Sequence, residues 1–203
     1  LPAAVRADWT SDLLAQGSGI KLAQVEWPID GAYAPGGAEF AAKSITLLSG
    51  SSAVSPHANL VGRNIYGPTS LAPNLKTINA LTANDFINSK GLRIGQSALV
   101  PLSLGVQVIN NSWAGAYSDN SRNIDAIRRL DYLINRDNVV CVEAVENDAA
   151  QPFPKLLATS YNGLTVGRMG AGSTGPITFD GGANRSKPDL VVNAGTTSEA
   201  AGA

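Results

Sequence analysis

Six short apolar runs, set between Gly, Pro and Asn punctuation and longer stretches of helical period, restrict this chain more than any other feature. They are IKLAQVEW (20–27), SITLLSG (44–50), LKTINAL (75–81), VQVINNSW (106–113), NVVCVEAVEN (138–147) and GLTVGRM (163–169). Several are apolar at consecutive rather than alternate positions, the pattern of strands buried on both faces, and strands of that kind belong to parallel sheets covered on both sides by crossovers. The clearest helix is SRNIDAIRRLDYLINRDN, where Ile124, Ile127, Leu130 and Leu133 recur at helical spacing. Asp125 and Arg129 stand at i,i+4 in it, and Asn120 or Ser121 is the expected cap. Because it joins two strands it reads as a crossover. The alternation therefore predicts a three-layer α/β domain, with a mostly parallel, doubly wound sheet and right-handed connections. Gly-rich stretches at 31–37 and 170–182 read as surface loops.

With 203 residues, 44% of them hydrophobic, the chain can bury one substantial core, so a single domain over 1–203 is expected. A net charge of -1 provides no field to gather phosphate backbones or anionic lipid, which argues against nucleic acid as a partner. No apolar run reaches the roughly 18 to 20 residues that cross a bilayer. The sequence begins at Leu1 rather than Met, as a processed chain does, and a secreted or exported protein is the expectation. The one cysteine, Cys141, excludes an internal disulfide framework and, within the apolar VVCVEAV, reads as a buried structural residue. One histidine with one distant cysteine argues against a zinc site, and no metal or cofactor is expected. GRMGAGSTG has the glycines of a phosphate loop but no helical pattern behind it, so it is not read as a nucleotide site.

In a sheet of this kind the working groups gather beyond the carboxyl ends of the strands. That rule selects Glu26, then Asn111 and Ser112, then Glu146 and Asn147. His57, the only histidine, follows the strand ending near Gly50 and opens the helical run HANLVGRNI. Each has a plainer alternative: a solvated carboxylate for Glu26, a turn former for Asn147, a structural imidazole for His57. Trp113 serves equally as core or as the wall of a pocket.

The order of these segments resembles that of a subtilisin-like serine protease (subtilase, peptidase S8 type) from about residue 20 onward. IKLAQVEWPID is similar to the strand that ends in the triad acid, with Glu26 where aspartate is usual and Asp30 as a fallback. HANLVG resembles the histidine segment, with Ala58 and Asn59 in place of Gly and Thr. SLAPNLKTINAL is similar to the Ala-Pro segment before the third strand, and VQVINNSWAG to the strand that lines the substrate cleft. VVCVEAVEND resembles the strand delivering an oxyanion-hole asparagine, with Glu146 in place of glycine, and RSKPDLVV the segment before the nucleophile. NAGTTSEAAGA aligns Ser198 with the nucleophile, Thr196 replacing glycine and Gly202 replacing proline. A second alignment treats VNAGTTS as the loop before the motif and puts the serine after Ala203.

The resemblance implies a serine endopeptidase with a Glu26, His57, Ser198 triad and Asn147 as oxyanion donor. Main chain at Ser112, Trp113, Ala114 and Gly115 would pair with an extended polypeptide substrate. It also implies that a helix normally follows the nucleophile, so a second chain or C-terminal portion is expected to complete the core. Two alternatives stay open: a catalytically inactive subtilase-fold pseudoenzyme or peptide-binding module, and a generic α/β ligand-binding domain.

Overall fold

The computed structural model describes residues 16–147, 156–168, 175–177 and 185–192. All six apolar runs form strands, most of them shorter than the run: β1 (Lys21–Glu26), β2 (Ser44–Leu47), β3 (Thr77–Thr82, one residue past its run), β4 (Val108–Asn111), β5 (Val140–Ala144) and β6 (Leu164–Arg168). Three further short strands follow, β7 (Gly175–Ile177), β8 (Arg185–Lys187) and β9 (Leu190–Val192). GLTVGRM is therefore not the last strand, and the Lys-Pro-Asp segment leads into β9. Seven strands make one sheet in the order β2-β3-β1-β4-β5-β6-β9, every pairing parallel, and β7 and β8 pair antiparallel beside it.

Helices cover both faces. α1 (Pro56–Tyr66) packs on one through Tyr66, where Leu22 of β1 and Ile78 of β3 meet Phe40 and Leu75. α2 (Asn120–Asp137) packs on the other, inserting Ala126, Leu130 and Leu133 among Val25, Leu81, Ile109 and Cys141. Its cap is Asp119, one residue before the expected Asn120 or Ser121: the Asp119 side chain accepts the Ser121 amide at 2.8 Å. Ser121 is thus the capped residue, not the cap. The expected i,i+4 pair forms, with Arg129 Nε 2.9 Å from Asp125 Oδ1. Asn138 ends the helix in the left-handed region at φ 52°, a conformation asparagine tolerates well.

Chain order reverses at β1, which has β3 on one side and β4 on the other. The carboxyl ends of β1 and β4 therefore flank the topological switch, where connections diverge and leave a crevice. Strand alternation and register put Leu22, Gln24 and Glu26 on the α1 face, together with Asn110 and Ser112, Val142 and Ala144, and Val166 and Val192. α1 covers only the β1–β3 side of that face. Over β5, β6 and β9, Val140, Leu190 and Val192 are about half-exposed, and the strands open into a cavity of about 260 Å³.

Candidate active site

Glu26 is the last residue of β1 and is fully buried, not solvated. Facing it is the first turn of α1, fixed by two features of the sequence SPHA. Ser55 caps the helix by accepting the Ala58 amide at 3.2 Å, and Pro56 takes the first helical position, where its missing N–H is no loss. His57 is thereby held at the strand end, with Nδ1 2.7 Å from Glu26 Oε2. The hydrogen bond to Glu26 raises the imidazole above its ordinary 6.5; partial burial opposes this and the charge of Glu26 adds to it. With Glu26 ionised, Nδ1 carries the hydrogen and Nε2 offers its lone pair. Among the described residues Nε2 makes no hydrogen bond, and 18% of the side chain is exposed.

Behind the pair lies a buried polar chain that inspection of the sequence misses. Gln24 Nε2 donates to Glu26 Oε1 at 2.7 Å and to the Ala58 carbonyl at 2.9 Å, and the Tyr66 hydroxyl donates to Gln24 Oε1 at 2.5 Å. Burial, then the charges of Glu26 and Glu39, push the Tyr66 phenol far above its ordinary 10.0, so it stays a donor. The available signal is a glutamine two residues before Glu26, on the same face of an otherwise apolar strand. Asn59, one of the departures from the family pattern, also has a structural task. Its side-chain amide accepts the Gly36 N–H at 2.8 Å and donates to the Gly36 carbonyl at 3.0 Å, tying the 31–37 loop to α1. Asp30 is exposed and lies in a turn at φ 50°.

The close approach of Tyr66 to Gly62, one helical turn earlier, yields a prediction. A Cβ on Gly62 would stand 2.5 Å from the Tyr66 hydroxyl oxygen and 3.1 Å from the Phe40 ring. Gly62→Ala, although a better helix former by about 1 kcal/mol, should therefore destabilise the protein by roughly 1–3 kcal/mol through overpacking. A lowered denaturation midpoint at unchanged slope would show it; a raised midpoint would refute it.

The other candidates sit on the far wall of the crevice. Ser112 follows β4 and its Oγ accepts from Asn110 Nδ2 at 2.8 Å. Trp113 fills both roles considered for it: it belongs to the α2-side core and, with Trp27, Ala114, Gly115, Tyr117 and Leu156, lines a cavity of about 320 Å³. Its indole N–H donates to Asn111 Oδ1 at 3.1 Å, and its ring lies 6.5 Å from that of Trp27. Asn147 lies beyond β5, lining the other cavity with Ser112, and its main-chain N–H donates to Glu146 Oε1 at 2.9 Å. Ser198 lies outside the described residues. Glu26 and His57 are thus brought together, Ser112 and Asn147 share a cavity, and Trp113 to Gly115 line a neighbouring one. The described residues hold no group of three or more His, Cys, Asp or Glu suited to a metal ion.

No family model matches the sequence, and no curated protein matches it. Among solved structures, the chain superimposes on the prenylagaramide maturation protease PagA with a TM-score of 0.55 at 18% identity. It shares the fold of a protease. The match covers 83% of this chain and 59% of that one, so the chain spans well under two thirds of the length of PagA. The three-layer, mostly parallel α/β arrangement expected from the strand pattern is the one observed, and it is of the subtilisin-like kind that the resemblance implied.

Among the described residues no helix is long and apolar enough to cross a membrane. Cys141 is buried as expected, its thiol 2.9 Å from Glu143 Oε1, and burial followed by the Glu143 charge pushes it well above the ordinary thiol range. Glu143 is a second buried acid that the sequence reading passes over. Asn111 Nδ2 also approaches its Oε1, at 3.4 Å, while Oε2 has no partner among the described residues.

Proposed function

We propose that this protein is a serine endopeptidase in which His57 is the general base, Glu26 its orienting acid, Ser198 the nucleophile and Asn147 the oxyanion donor. The observation that carries the reading is the 2.7 Å contact between His57 Nδ1 and Glu26 Oε2 at the switch point, with Nε2 left open. A serine hydroxyl is a poor nucleophile near neutral pH, so its proton must pass to a base as it attacks a peptide carbonyl. His57 Nε2 takes that proton, and Glu26 stabilises the imidazolium. The Asn147 side-chain amide meets the carbonyl oxygen as charge builds on it, a donor worth roughly 2.7–4 kcal/mol in the transition state. Collapse returns the proton from Nε2 to the leaving amine and leaves an acyl-serine ester. Water, deprotonated by the same imidazole, then hydrolyses the ester.

The polypeptide is read by main chain at Ser112–Gly115 pairing as an added strand. The partly bare sheet face over β5, β6 and β9 supports the expectation that a further polypeptide segment or a second chain completes the core, since apolar surface of this kind is normally covered. Secretion or export remains part of the proposal.

One observation favours the inactive alternative: Glu146, where the family has glycine, turns its carboxyl group onto Asn147 itself. An acid beside the oxyanion position would oppose the charge that has to form there. A fluorophosphonate probe separates the two readings. Covalent labelling of the folded protein at Ser198, abolished in His57→Ala, is the expected result. Absence of label anywhere in the folded protein would support the pseudoenzyme. Labelling of a serine beyond Ala203 in a longer chain would keep the enzyme and move the nucleophile.

A further inference from the structure

The Glu26–His57 pair is one end of a longer hydrogen-bonded line, Tyr66 to Gln24 to Glu26 to His57, with steps of 2.5, 2.7 and 2.7 Å. Its first three members are 0% exposed. We propose that Gln24 and Tyr66 are positioning residues, which fix the carboxyl group of Glu26 and so hold His57 in the tautomer with hydrogen on Nδ1. The activity part of this inference rests on the protease reading above; the imidazole part does not.

The argument is one of donor and acceptor inventory. A primary amide presents an acceptor at one end and donors at the other, and its orientation must be enforced by its neighbours. At Gln24 both ends are fixed. The Ala58 carbonyl can only accept, so Nε2 points to Ala58 and Oε1 to the Tyr66 hydroxyl, which can donate or accept and here donates. The second hydrogen of Nε2 is thereby aimed at Glu26 Oε1, where it meets the carboxyl oxygen that His57 does not use. A buried carboxyl oxygen without a donor is costly, and glutamate has one more rotatable bond than aspartate with which to escape to another partner. Gln24 removes that freedom: it occupies Oε1 and leaves Oε2 alone for the imidazole. Tyr66 acts one step further back: its hydroxyl gives the buried Oε1 a donor and so holds the amide where Nε2 reaches Glu26.

Because His57 is the only histidine in the chain, its nitrogen resonances and titration can be read by NMR without assignment. The native protein should show hydrogen on Nδ1 in the neutral ring. Gln24→Leu, close in size but without polar atoms, should give a mixture of tautomers and displace the imidazole titration by on the order of one pH unit. With a peptide substrate kcat should fall about 10- to 100-fold at little-changed KM, since orientation of the base rather than substrate binding is lost. Tyr66→Phe should shift the same observables in the same direction by less. A folded Gln24→Leu protein with the native tautomer and titration would overturn the inference. If Gln24→Leu does not fold, Tyr66→Phe, which removes one oxygen atom, carries the test, and an unchanged titration in it would overturn the inference equally. Native tautomer control without any peptide hydrolysis would support the positioning role while refuting the protease reading, so the two fail separately.

Discussion

Replacing Glu26 by Gln is expected to reduce peptide hydrolysis on the order of 10⁴-fold with the fold retained, the size of effect seen when a triad acid becomes an amide. The reason is specific to the buried surroundings. Gln24 offers Glu26 only a donor, because the Ala58 carbonyl, which can only accept, fixes the orientation of its amide. A glutamine at 26 must answer with its carbonyl oxygen on that side, which leaves its NH₂ group facing His57 Nδ1. Nδ1 then has to accept, the hydrogen moves to Nε2, and the nitrogen facing the substrate can no longer take a proton. Loss of the Glu26 hydrogen bond and charge should also lower the imidazole titration relative to the native protein, since these are what raise it. Steady-state kcat/KM and a histidine NMR titration check both consequences. A variant that kept more than a tenth of native activity would show that Glu26 is not the orienting acid.

The second large effect concerns stability. Burial pushes Glu143 up from 4.5 to about 7, only partly offset by the Cys141 thiol, Lys187 and Asn111. Its Oε2, without a partner among the described residues, is the open position for the retained proton, since Oε1 already receives Cys141 and Asn111. Between about pH 4.5 and pH 7 the folded protein keeps this proton while the unfolded chain has lost it, so stability falls as pH rises through that window and levels off above it. The shift corresponds to roughly 3 kcal/mol. His57 acts in the same direction: as a base raised in the folded state, it contributes stability that is complete below 6.5 and is lost as pH climbs through its higher folded value. Glu143→Gln separates the two. Denaturation of native and variant proteins across the window should give a stability difference that changes by roughly 3 kcal/mol in favour of the variant. A difference independent of pH would mean that Glu143 is already ionised in the fold.

The parallel sheet was legible because burial on two faces leaves its mark in consecutive apolar residues, as in Leu22-Ala23 and Val139 to Val142. The crevice followed from the rule about strand ends, which led directly to Glu26, Ser112 and Asn147. Non-local contacts left no comparable mark. Tyr66 meets Gln24 across 42 residues, and neither the hydroxyl nor the amide is unusual in its own neighbourhood. Glu143 escaped because one acid in VVCVEAV barely disturbs an apolar run. In the stretch SDNSR several residues compete as caps, and the choice of Asp119 depends on where the backbone turns, not on composition. β9 was missed because three residues, all about half-exposed, give a periodicity too short to separate from a loop. Ser198 lies outside the described residues, and the geometry of the proposed triad is that of Glu26 and His57.

That β1 lies inside the sheet, third of its seven strands, bears on how such a molecule is made. Every group holding His57 in place comes from residues 24 to 66, whereas Asn147 is added about 80 residues later, on the order of ten seconds at ordinary rates of translation. The partners of His57 are therefore all synthesised before the opposite bank of the groove, while β3 and β4, which flank β1, follow before the sheet can close around them. Under the protease reading, activity would have to await those later segments, and a half-synthesised chain would lack the machinery to cleave its neighbours.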